Sequence, residues 1–161
     1  MKLDKNYISL RRGDYRVTAV MDECESAEPF VHTGLFADML DPGLPIVTEK
    51  TVRPGEYAVL YDLDRIRGRA SEIIGTSIRA EEFSADEKGF TFRGRGASCE
   101  AVVRLKLPAK PSEVTVTLTP AEGDNSPVNA PASLEWDEKS STALISFKNT
   151  AGLTVIEGGS R

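Results

Sequence analysis

The chain has 161 residues, 40% of them hydrophobic and 28% charged, so it can bury a sizeable core without disulfides or metals to hold it. A formal net charge of -5 argues against nucleic acid as a partner. No apolar run approaches the roughly 18 to 20 residues that would span a bilayer, and Met1-Lys2-Leu3-Asp4-Lys5 lacks the apolar segment of a signal peptide, so a soluble chain without membrane contact is expected.

Taken in chain order, the pattern repeats every two residues rather than every 3.6. Residues 15–21 form a β-branched, alternating run, and 30–35 make a second strand candidate. Residues 36–40 have room for one helical turn before Asp41-Pro42-Gly43 stops it. Strands are then predicted over 44–52 and 56–63, separated by Arg53-Pro54-Gly55, with a second helical turn over 63–69. A boundary is suggested near 67–70, at Arg67-Gly68-Arg69. Beyond it, strands are predicted over 72–80, 89–95, 100–107 and 113–119, the last with Val114, Val116 and Leu118 on one face. After a long polar link over 120–131 come strands at 133–136, 142–147 and 153–157, and 158–161 reads as a linker or tail. Many short strands at this spacing predict an all-β chain: an antiparallel two-sheet β-sandwich of jelly-roll or Ig-like kind. It would be a single domain over 1–161 or two small sub-sandwiches.

Catalytic chemistry finds little footing. The acid pairs in Asp22-Glu23-Cys24-Glu25, Asp38 with Asp41, and Asp62 with Asp64 sit in or beside turns, where carboxylates are favoured for solvation and capping. A Ser or Cys nucleophile needs a base, and the sole histidine, His32, alternates into a polar strand position that predicts a surface or cross-strand role. Arg93-Gly94-Arg95-Gly96 has no helix behind it to bind phosphate and reads as a twisted or bulged strand end. Arg12-Gly13-Asp14 falls where a hairpin turn is expected.

Cys24 and Cys99 lack the partners of a zinc site, which leaves buried free thiols or one disulfide. Calcium is the candidate ion, because β-sandwich loops often hold it with carboxylates. Asp22, Glu23 and Glu25, or Asp62 and Asp64, or Asp124 and Asn125, would supply oxygens. Sugar binding usually needs an exposed aromatic face, and aromatics make up only 7% of the chain. The platform candidates are Tyr7, Tyr57, Tyr61 and the single tryptophan, Trp136, while Phe90 and Phe92 share one strand face and read as core.

Several segments resemble the C-terminal β-sandwich region of large bacterial proteins related to glycoside hydrolases. They are Arg11 to Tyr15 with Ala19 to Glu23, Gly34 to Pro45, and Val52 to Glu56 leading to Leu60 to Leu63. In the second half, Leu105 to Lys110 before Val114, then Trp136-Asp137 and Leu144 to Phe147, are similar to the closing β domain of such enzymes. The resemblance covers most of 10–157. It implies an accessory module without catalysis of its own that binds polysaccharide or oligosaccharide, or packs against a neighbouring catalytic domain. Membership of an exported protein would place it outside the cytoplasm. The competing expectation is a docking or assembly module that pairs with another domain or with a copy of itself through free strand edges.

Overall fold

The computed structural model describes residues 5–23, 26–123 and 125–159, and among them every regular element is a β-strand. No helix there is long and apolar enough to cross a membrane. The chain divides into two compact units, 1–68 and 69–161.

The first unit has five strands: β1 Tyr7–Arg12, β2 Tyr15–Val20, β3 Phe30–Asp38, β4 Ile46–Val52 and β5 Tyr57–Asp62. They form one antiparallel sheet in the order β1-β2-β5-β3-β4. The β1–β2 hairpin turns at Gly13-Asp14, where Gly13 supplies a φ of +60° at the first turn position, matching the twist of the flanking strands. Val20, Phe36, Val52, Ala58 and Leu60 make the core, with Tyr7, Phe30 and Val47 packed against it. A hydroxyl on β2 (Thr18) reaches a ring on β3 (His32) although β5 lies between these strands in the sheet. The sheet therefore curls around its buried face, so this unit is a single sheet rather than a small sandwich.

Residues 36–38 do not form the expected helical turn. A bulge between Thr33 and Phe36 lets β3 continue, so that Phe36 and Ala37 pair with β4 while Phe36, Ala37 and Asp38 pair with β5. One turn of helix offers at most a hydrogen bond or two, whereas the strand gains two partners and buries Phe36. Residues 63–68 are likewise turn rather than helix.

The second unit has nine strands: β6 Glu72–Thr76, β7 Arg79–Asp86, β8 Gly89–Gly96, β9 Cys99–Lys106, β10 Glu113–Pro120, β11 Val128–Ala130, β12 Ala132–Asp137, β13 Thr142–Asn149 and β14 Gly152–Gly159. One sheet runs β11-β10-β14-β8-β7 and the other β12-β13-β9-β6. Phe90, Phe92, Val116, Leu118 and Ile156 from the first meet Ala101, Val103, Leu105, Ala143, Ile145 and Phe147 from the second in a common core. This unit is a two-sheet sandwich, and its inward residues follow the alternation that a half-buried strand requires.

Three further expectations are corrected here. The run 72–80 breaks into β6 and β7, and β11 forms inside the link 120–131. Gly158 and Gly159 are not tail but the end of β14, paired with Phe90 and Gly89 on one side and with Val114 and Glu113 on the other.

Candidate functional site

The four aromatic platform candidates end in different surroundings. Trp136, on β12, packs against the core of the second unit with its indole N–H buried and without a hydrogen-bond partner. Tyr61 is only 4% exposed and meets the ring of Tyr15 edge-on at 5.0 Å. Tyr7 is half-buried against Phe30, 4.4 Å between ring centroids. A stacking platform needs an open ring face, and of the four Tyr57 has the exposure for one, at 67%.

Tyr57 opens β5 directly after Arg53-Pro54-Gly55-Glu56. Proline at the second position and Gly55 at the third, with φ +81°, suit a type II turn, closed by the Glu56 N–H donating to the Arg53 carbonyl at 2.9 Å. The turn is pinned to β2, since Gly55 N–H donates to the Val20 carbonyl and Val20 N–H to the Glu56 carbonyl. The Glu56 carboxylate accepts the Arg53 backbone N–H at 3.0 Å and lies 3.8 Å from its guanidinium.

Asp38 sets the other wall. Buried at the end of β3, it accepts the Leu40 N–H at 3.1 Å and the Lys50 ammonium at 2.6 Å. Leu40, Lys50, Thr51, Arg53, Gly55, Glu56 and Tyr57 then line an open cleft of about 420 Å³. An apolar ring and a leucine side chain thus stand beside a hydroxyl, two cations and a carboxylate. That combination stacks on a ring with C–H faces while hydrogen-bonding its hydroxyls. Because Lys50 and Arg53 already face Asp38 and Glu56, the cleft carries little net charge and does not favour an anion.

Compared with protein families, curated proteins and solved structures, the chain has no match. Nothing in those comparisons identifies it as a glycoside-hydrolase accessory module.

A second cavity, of about 550 Å³, lies at the β7–β8 hairpin in the second unit, lined among others by Ser84, Thr91, Thr115, Glu113, Glu157 and Lys88. It is polar, but its one ring, Phe90, belongs to the core. Asp86, also at its rim, is occupied in capping the hairpin, where it accepts the N–H groups of Lys88 and Gly89.

Among the described residues no three His, Cys, Asp or Glu side chains converge on a metal position. Asp62 is buried and holds the Arg16 guanidinium at 2.9 Å, so neither it nor Asp38 is the solvated turn acid that its sequence position suggests. Asp64 accepts the Leu35 N–H at 3.0 Å and pairs with Arg67 at 2.8 Å. Asp22 and Glu23 are exposed after β2, Asp22 against Gly55, and Asn125 is exposed in the loop before β11. Cys24, Glu25 and Asp124 lie outside the described residues. Cys99 is a free thiol at the start of β9, exposed rather than buried.

His32 is not at the surface. It is buried on the inner face of β3, its Nε2 2.8 Å from Thr18 Oγ1, which is itself 2.8 Å from Ser9 Oγ. Phe30 and Phe36 stand beside the ring. Burial first, and the Arg16 charge second, hold its pKa below the ordinary 6.5. The folded chain therefore favours neutral His32, so stability is fully present above pH 6.5 and declines as pH falls below it. Because this is the chain's only histidine, thermal melts between pH 7.5 and 5.0 should show that decline, and His32→Gln should flatten it.

The alternation of β9 conceals another feature. Arg104 and Lys106 share the face opposite the core residues Val103 and Leu105, yet both are buried. Arg104 donates to Thr142 Oγ1 at 3.0 Å and Lys106 to the Ser140 carbonyl at 3.2 Å, while Asp137 fixes Ser140. Burial lowers the Arg104 pKa, and Asp137 and Glu135 offset part of that.

Proposed function

We propose that this chain is a non-catalytic accessory module of a carbohydrate-active protein and that it contacts saccharide at the Tyr57 cleft. The observation that supports this reading is the exposed Tyr57 ring beside Leu40, Lys50, Thr51, Arg53 and Glu56. A pyranose presents both an apolar C–H face and a rim of hydroxyls. The tyrosine meets the face, and the fork of Arg53 with the Glu56 carboxylate meets vicinal hydroxyls as donor and acceptor. Orientation comes from the β4–β5 turn, which is held by backbone hydrogen bonds and so costs little ordering on binding. In this setting the reaction belongs to a neighbouring catalytic domain, and the module's contribution is to keep that domain near its polymer.

The test is affinity electrophoresis of the purified chain through plant, fungal and bacterial polysaccharides, followed by titration with matching oligosaccharides. One polysaccharide should retard the protein. Tyr57→Ala should weaken that binding about tenfold, the effect of truncating an aromatic anchor, whereas Tyr57→Phe should keep most of it. Absence of retardation by every polysaccharide, or full binding by Tyr57→Ala, would overturn the reading.

A further inference from the structure

We propose that the outward face of β1 and β2, with Tyr57 at the start of β5, is a self-docking surface that takes a second copy of this chain. The register places Ile8 beside Ala19, Leu10 beside Val17, Arg12 beside Tyr15, Val17 beside Val59 and Ala19 beside Tyr57, all pointing away from the buried side of the sheet. Ile8 is 55% exposed, Leu10 61%, Tyr15 40% and Val17 39%, and with Tyr57 they account for five of the eight large hydrophobic side chains most open to solvent among the described residues. Such side chains scattered singly would mean nothing, but here they form one stripe. Together they expose on the order of a few hundred Å², the size at which an apolar patch on a single chain is usually functional.

The occupant follows from charge. At the hairpin end of the stripe Arg12 stands on the same face, with Arg11 next to it, while the nearby Asp14 is engaged by Arg65 at 3.3 Å. At the other end are Asp22 and Glu23. There Glu56 faces Arg53, while Lys5 lies over the ring of Tyr7, which packs against the buried core. The face is thus basic at one end, apolar along its length and acidic at the other. It carries its own complement, which an isologous interface requires and a foreign partner does not.

Two copies laid face to face with strands in the same direction would bring like charges together. With strands in opposite directions, Arg12 of each copy lies over the Asp22-Glu23 end of the other. A standard interface takes about 800 Å² from each partner, so the stripe supplies the apolar centre and the charged ends the rim, which predicts a dimer of micromolar rather than nanomolar strength.

Sedimentation velocity on the full chain from about 5 to 500 µM, spanning that range of affinity, is the test. A concentration-dependent dimer is expected, and Leu10→Glu, at an exposed position that leaves folding intact by circular dichroism, should abolish it. Arg12→Glu and Glu23→Lys should each weaken the dimer about tenfold, and the double variant should restore it. A monomer throughout, or a dimer indifferent to Leu10→Glu, would overturn the proposal. A double variant no tighter than its parents would overturn the opposed arrangement. Tyr57 belongs to both surfaces, so it is left unchanged and no saccharide is present in these runs, and failure to dimerise is read separately from failure to bind sugar.

Discussion

Phe92→Ala is expected to destabilise the second unit by about 3–5 kcal/mol, the cost of deleting a fully buried aromatic ring and leaving a cavity where it stood. Phe92 is wholly inaccessible in the middle of β8, flanked by β14 and β7, and its ring belongs to the core that the two sheets share. Its neighbours are themselves strand residues fixed by backbone ladders, so little can collapse into the space. Urea unfolding followed by the fluorescence of Trp136, the only tryptophan and a residue packed on the same core, reports the loss directly. A contrasting substitution is Val128→Ala on the edge strand β11, which is 60% exposed and should change stability by no more than about 0.5 kcal/mol. A loss under about 1.5 kcal/mol for Phe92→Ala, below the range for deleting a buried ring, would mean that the two sheets do not close on a shared core.

The same core shows what the sequence makes legible. Val114, Val116 and Leu118 alternate cleanly with threonines, and the strand and its inward face follow from that period. β1 is hidden by the opposite circumstance. Its apolar Ile8 and Leu10 point outward while Ser9 and Arg11 share the inward phase with Tyr7, so hydrophobic alternation carries no sign of which face is buried. His32 misleads in the same way, since exposed Val31 and buried His32 exchange the places that polarity would assign them.

The candidate site is partly legible for a related reason. Tyr57 and Tyr61 occupy one face of β5, and a period of two identifies that face but not how cover changes along the strand, so one ring is open and the other closed. The Pro54-Gly55 turn that presents Tyr57 is readable from local rules, because only glycine takes φ near +80° without strain. Asp38 is not. Its place beside Lys50 depends on the bulge in β3, which shifts the register between β3 and the next strand β4, and a local pattern does not encode that shift.

Gly152→Ala is the other substitution expected to be severe. It opens β14 at φ +145°, a region that side-chain-bearing residues rarely enter, at a cost of about 1–3 kcal/mol for conformation alone. An added Cβ would also overlap the Thr119 carbonyl oxygen and come within 2.9 Å of the Ala121 nitrogen, both backbone atoms that cannot swing aside. Those atoms are held in turn by the pairing of Gly152 with Pro120 and by the hydrogen bond from Ala121 N–H to the Ala151 carbonyl, so relief requires separating β10 from β14. Gly123→Ala isolates the conformational contribution, because Gly123 also has positive φ, +83°, yet nothing lies within 4 Å of a Cβ there. The conformational cost alone predicts about 1–2 kcal/mol for Gly123→Ala, with Gly152→Ala at least twice as costly in the same urea titration. Equal losses would mean that the β10–β14 junction yields to a methyl group, and with it the close register that seats β14 between β10 and β8.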